Sequence, residues 1–233
     1  MRTYALAATL AVLIAPLTAI ANPPHATPPE LVEIDPPWTD RLRLRHVNMT
    51  GGSMVPTILQ GERVALRKVA FGDGTVPLNG SIVLFENDHA DGEWLARVVA
   101  GPGQTIQVIA GVPVIDGVPL RRVAANRSWP SGVSVDRDPR AAPRLVTETN
   151  HAGFAYAVAE TGDDLPFDNT PVFEVPKGHL FVLGDNRDNS LDSRSAAVQF
   201  VPVENVTHVA DYISKSGDQG RVNTLIPRPI ADE

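Results

Sequence analysis

The sequence predicts an all-β fold, and three observations carry that expectation. Pro and Gly number 21 and 18 of 233 residues, which suits many turns and opposes long helices. Short apolar runs alternate with turn residues along most of the chain. No stretch sustains a helical period, and no internal repeat is visible.

In chain order, Arg63-Val64-Ala65-Leu66 follows the turn pair Gln60-Gly61 and reads as the first strand. Ser81 to Phe85 is entered from Asn79-Gly80, and Trp94 to Ala100 is closed by Gly101-Pro102-Gly103. Gln104 to Ala110 follows. Val112 to Ile115 and Val118 to Val123 flank Asp116-Gly117, a strong hairpin signal because both turn residues tolerate positive φ. Phe154 to Ala159 alternates large and small side chains. Phe173 to Val175, His179 to Leu183 and Val206 to Ile213 complete the set. The stretch from Asn126 to Thr170 is mixed polar and Pro-rich and reads as an insertion. The tail after Gly217 is polar, carries Pro227 and Pro229, and is expected to be mobile.

Met1 to Ala21 reads as a targeting or anchoring segment. Arg2 gives a positive start, Ala5 to Ala21 carries no charge, and Ala19-Ile20-Ala21 is a small-x-small cleavage pattern. An uncleaved anchor is the alternative, although the run is at the short edge of the roughly 17–25 residues that span a bilayer and Pro16 interrupts it. Either reading places the rest of the chain in the periplasm or on the outer face of the cytoplasmic membrane. Residues 22–42 contain Pro23-Pro24, Pro28-Pro29 and Pro36-Pro37, which favours an extended spacer or a disordered leader. A net charge of −7 gives nucleic acid no electrostatic footing. The absence of Cys excludes a disulfide framework and Cys-ligated metal. The six His show no ligand spacing, so no metal or cofactor is expected.

The most informative stretch is Gly184-Asp185-Asn186-Arg187-Asp188-Asn189-Ser190-Leu191-Asp192-Ser193-Arg194. It follows the apolar run Leu180 to Leu183 directly, and opposite charges alternate along it. That suggests a semi-buried network of mutually satisfied groups, with Asp192 and Arg194 in a bidentate pair that leaves the Ser190 hydroxyl aimed elsewhere. A plain polar surface loop is the alternative. Far upstream lies Met49-Thr50-Gly51-Gly52-Ser53-Met54-Val55-Pro56-Thr57. Alone this is a common Gly-Gly-Ser turn.

Together the two stretches resemble bacterial type I signal peptidases, membrane-anchored serine endopeptidases that remove signal peptides from exported preproteins. The resemblance runs from about Arg43 to about Tyr212. It implies a mostly antiparallel β-core, residues 43–104 and 173–214, interrupted by a second smaller β-domain, residues 105–172, and followed by a tail, residues 215–233. It implies Ser53 as nucleophile and the Ser53 N–H as an oxyanion donor. Part of the family carries a hydroxyl residue where this chain has Gly51, so a second donor has to come from elsewhere.

A Ser nucleophile needs a base. The family uses a Lys whose pKa is lowered by apolar burial. Its strand aligns without a gap on Trp94-Leu95-Ala96-Arg97-Val98-Val99-Ala100-Gly101-Pro102-Gly103, and Ala96 occupies the lysine position. Related eukaryotic enzymes place His there. Arg97 is no substitute, because guanidinium does not deprotonate and alternate strand residues face opposite ways. The three lysines, Lys68, Lys177 and Lys215, read as solvated surface residues. Of the His residues, His46 and His208 merit inspection. By resemblance, Ser190 would have bonded the missing amine, and Asp192 and Arg194 brace its loop. Met49, Thr50, Met54, Ile58, Trp94 and Leu95 match the positions of a shallow apolar wall for an extended peptide, or else pack the core. The resemblance therefore implies a signal peptidase scaffold with Ala96 in place of its base. The alternatives are a pseudoenzyme that binds signal peptides or partners without cutting, a conjugative-pilus maturation peptidase, and a self-cleaving repressor-type relative, against which the leader weighs.

Overall fold

β-Branched and aromatic runs between Gly and Pro turns form three antiparallel sheets in the computed structural model, which describes residues 44–69, 76–88, 92–126, 128–130, 133, 143–162 and 164–229. The leader, the spacer and part of the polar insertion lie outside these residues. The strands are β1 (Arg45–Asn48), β2 (Arg63–Lys68), β3 (Ile82–Glu86), β4 (Glu93–Ala100), β5 (Thr105–Ile109), β6 (Val112–Ile115) and β7 (Val118–Pro119). They continue with β8 (Arg121–Ala124), β9 (Arg144–Thr149), β10 (Ala155–Glu160), β11 (Phe173–Glu174), β12 (His179–Leu183), β13 (Val201–Pro202) and β14 (Val206–Lys215). The main sheet runs β1-β2-β14-β3-β4-β12-β13; the others run β11-β5-β6-β7 and β10-β9-β8. Among the described residues no helix is long and apolar enough to cross a membrane.

The Asp116-Gly117 turn joins β6 and β7 as a hairpin, with φ of 52° and 77° and Ile115 opposite Val118. The run expected from Val118 to Val123 divides at buried Leu120, and its two halves join different sheets. The strand Arg144–Thr149 has no counterpart in the sequence reading. Its inward side chains include Glu148, which hides the apolar alternation. The tail differs from expectation as well. Ile226 is buried in the core, Ile226 N–H donates to the Asp211 carbonyl, and Asn223 N–H donates to the Ile213 carbonyl.

Polar packing joins the β8-β9-β10 sheet to the 184–194 segment. Glu148 accepts from Arg187 at 2.8 and 2.6 Å, from Arg122 at 2.9 Å and from the Tyr156 hydroxyl at 2.6 Å. Arg97 stacks 4.2 Å from the centroid of the Tyr156 ring. Burial pushes the Glu148 carboxyl up, but Arg187, Arg122 and Tyr156 together hold it down at about 2. A carboxylate with a depressed folded-state pKa stabilises the fold above its unfolded pKa and loses that contribution as pH falls toward the folded value. Between about pH 4.5 and 2, stability is therefore predicted to fall with acidification. Glu148→Gln should lower the neutral-pH unfolding midpoint and flatten this slope, read by urea melts across pH. An unchanged slope contradicts the assignment.

Candidate active site

The segment from Met49 to Leu59 follows β1 and is anchored from beneath. Met49 N–H donates to the Glu62 carbonyl, and Gly61 N–H donates to the Met49 carbonyl. The Glu62 carboxylate is buried and accepts from Leu59 N–H, Ser216 Oγ and Arg221. Arg221 also donates to the Thr57 carbonyl at 2.9 Å. Met54 and Ile58 are fully buried in the cluster with Val64, Leu66 and Ile213, so they pack the core beneath the segment. With its flanks fixed, the Gly51-Gly52-Ser53 turn is held at the surface.

Three contacts bring Ser53 against the 184–194 segment. Asn186 N–H donates to the Ser53 carbonyl at 2.9 Å, and Asn186 Nδ2 donates to the Gly52 carbonyl at 3.0 Å. Thr57 Oγ1 donates to Asp185 Oδ2 at 2.5 Å. Gly184 permits the approach: a Cβ there would lie 2.3 Å from Ser190 Cβ and 2.7 Å from the Ser53 carbonyl oxygen.

Most charges of the segment are satisfied, though only one pair lies within it and Asp188 Oδ1 is buried without a hydrogen-bond partner among the described residues. Asp192 and Arg194 form a fork, with Nε–Oδ1 and Nη2–Oδ2 both 2.8 Å. Asp192 Oδ2 also accepts from Gly184 N–H and, at 2.5 Å, from the Ser190 hydroxyl. The Ser190 hydroxyl is thus held by its own loop. Asp185 forms a second fork with Arg97, both distances 2.7 Å and both side chains fully buried. Burial works against the Arg97 cation, but Asp185 outweighs it and holds the guanidinium pKa above its ordinary value. The third fork is Arg187 with Glu148. Asp188 reaches outward to cap the Thr161 and Gly162 N–H groups.

A groove of about 610 Å³ opens between the two segments and β4. Ser53, Ala96 and Ser190 all line it, so the structure brings together the nucleophile candidate, the base position and the supporting serine. Met49, Thr50, Trp94 and Leu95 form its walls, while Met54 and Ile58 do not reach it. Ala96 lies opposite Val83 and is 5% exposed.

The surroundings of the Ser53 hydroxyl decide its chemistry. Among the described residues it has no hydrogen-bond partner. Among the described residues Glu93 is the one ionisable residue on the groove wall, and Arg45 holds its carboxylate in a fork at 2.5 Å. His46 Nδ1 is engaged with Ser214 Oγ and His208 Nδ1 with Thr207 Oγ1, and neither His lines the groove. Lys68, Lys177 and Lys215 are exposed and also lie off it. Asn189, which the sequence reading did not single out, lines the groove, and among the described residues its side-chain amide has no hydrogen-bond partner. Its Nδ2 lies 3.6 Å from where a Gly52 Cβ would stand. The Ser53 N–H and this amide are two donors available to an oxyanion.

Comparison with known proteins follows the same outline. A family model described as "Signal peptidase, peptidase S26" matches residues 42–214. A protein of Rickettsia bellii named "Signal peptidase I" is 30% identical over 188 residues, covering 70% of this chain and 62% of that protein. One of Rickettsia prowazekii with the same name is 32% identical, covering 70% of this chain and 68% of that protein. The chain thus spans about 62% of the length of the first of these relatives. A crystal structure of a signal peptidase I from Enterococcus faecalis aligns at 24% identity with a TM-score of 0.34, covering 59% of this chain and 98% of that one.

Two substitutions test the geometry. Asp192→Ala strands a buried guanidinium and should cost about 3–5 kcal/mol of stability. Gly184→Ala forces a methyl group into Ser190 and the Ser53 carbonyl and should cost about 1–3 kcal/mol. Denaturant melts read both, and a midpoint unchanged from the parent in either variant contradicts the packing described.

Proposed function

Because this chain belongs to the signal peptidase family, peptidase S26, we propose that it binds the cleavage region of signal peptides at a serine endopeptidase site that lacks its general base. The observation that carries this reading is, among the described residues, the unpartnered Ser53 hydroxyl in a groove whose one ionisable wall residue, Glu93, is committed to Arg45. In this reading Ser53 is the nucleophile, and its N–H and the Asn189 amide are the oxyanion donors. Ala96 stands where the base belongs. Asp192 and Arg194 hold Ser190 beside it. An extended peptide lies against β4, its small side chains meeting Met49, Thr50, Trp94 and Leu95, as in β-strand addition. Loss of a general base lowers turnover by roughly 10²–10⁴-fold, so bound preprotein dissociates uncut far more often than it is cleaved. The site faces the outer side of the cytoplasmic membrane, reached either by a cleaved leader or by an anchor at residues 1–21. Residues 105–172 serve as the inserted domain that braces the loop through Glu148.

Ala96→Lys tests the proposal. The variant should cut peptides with small residues before the scissile bond, at a rate that rises with pH through the lysine's titration, because the neutral amine accepts the Ser53 proton. Adding Ser53→Ala should abolish the gain. A variant that folds and binds peptide yet cuts nothing contradicts the claim that only the base is missing.

A further inference from the structure

Beside the groove lies a second, more open cleft of about 490 Å³, lined by Gln60, Arg63 and Lys215 together with Asn48, Met49 and Thr50, which it shares with the groove. Arg63 of β2 and Lys215 of β14 are direct cross-strand partners, and both are exposed. Like charges in that position repel. Nearby surface arginines are answered by carboxylates: Arg45 by Glu93, and Arg67 and Arg228 by Asp211. Among the described residues Lys68, Arg63 and Lys215 are not, and of these Arg63 and Lys215 are the two set against each other across neighbouring strands. Arg63 Nε donates to Asn48 Oδ1 at 3.0 Å, leaving its terminal nitrogens unbonded, and the Lys215 ammonium has no partner. In a chain of net charge −7, an uncompensated pair of cations at the rim of the groove needs an explanation.

We propose that Arg63 and Lys215 form a carboxylate subsite for the peptide that occupies the groove, selecting an Asp or Glu displaced along that peptide from the residue attacked by Ser53. The inference rests on the reading of the groove as a peptide site. The shared wall of Asn48, Met49 and Thr50 favours peptide over a lipid headgroup, because a chain in the groove meets the cleft by continuing across that wall.

The test uses the full chain and fluorescence anisotropy with a neutral peptide carrying small residues, scanned by placing one Asp at each successive position. The parent peptide should bind, and Asp at one position, or at two adjacent ones, should tighten binding about fivefold. The gain should shrink as salt is raised and disappear in the Arg63→Gln, Lys215→Ala double variant. Arg63→Gln combined with Lys215→Glu should move the preference at the same position from Asp to Lys, a result that misfolding does not mimic. Failure of the parent peptide to bind overturns the peptide-site reading and this inference with it. A parent that binds with no position favouring Asp, or a preference that survives the double variant, overturns the inference alone. So does a double variant that loses only its binding to vesicles of phosphatidylcholine and phosphatidylglycerol, since the cations then serve a lipid surface.

Discussion

The Arg97–Asp185 fork is the interaction on which the rest of the site depends. Arg97 follows Ala96 in β4, and Asp185 follows Gly184 at the end of β12, so one buried pair sets Ala96 against the 184–194 segment. Asp185 also accepts from Thr57, four residues beyond Ser53, so all three segments meet on one carboxylate. Neither charge can be removed singly without leaving the other buried and unpaired, a loss of about 3–5 kcal/mol. Tyr156 stacks on Arg97 and bonds Glu148, which holds Arg187. The fork is therefore one member of a network that spans two sheets.

That network explains how the site keeps its shape around an alanine. The forks stabilise the fold whether or not a bond is cut at Ser53, so the loop geometry is retained for reasons independent of catalysis. A lysine at position 96 would be held by different forces: apolar neighbours would lower its pKa, and hydroxyls would accept from it. With Ala at this position every fork keeps its charge partner and the Ser190 hydroxyl is bonded to Asp192. On the proposed reading, the groove and a proton acceptor at position 96 are thus physically separable.

What the sequence made legible was local or patterned. The Asp192–Arg194 fork spans two residues, the Asp116-Gly117 hairpin announces itself by residue type, and strand alternation already turns Arg97 away from the site. Partners far apart in the chain were not readable. Arg97 meets Asp185 across 88 positions, Arg187 meets Glu148 across 39 and Arg221 meets Glu62 across 159, with nothing in the residue types to match them. The same blindness hid β9, whose inward Glu148 breaks the apolar pattern, and the packed tail, where Val222, Leu225 and Ile226 fall among Gly, Pro and polar residues without a strand or helix period. Met54 and Ile58 show a further limit. A motif assigns them to the neighbourhood of the nucleophile, but only packing places them under the groove instead of along it.

On the proposed reading, Ser53 meets a bound peptide without a proton acceptor. The most direct test is a single-turnover experiment with the unmodified protein in excess over a labelled preprotein, following complex formation and peptide mass together. A saturable complex should form, its peptide staying intact over times in which the Ala96→Lys variant cuts it. Prompt cleavage by the unmodified protein, abolished by Ser53→Ala, would contradict this reading and require a base other than a residue at position 96.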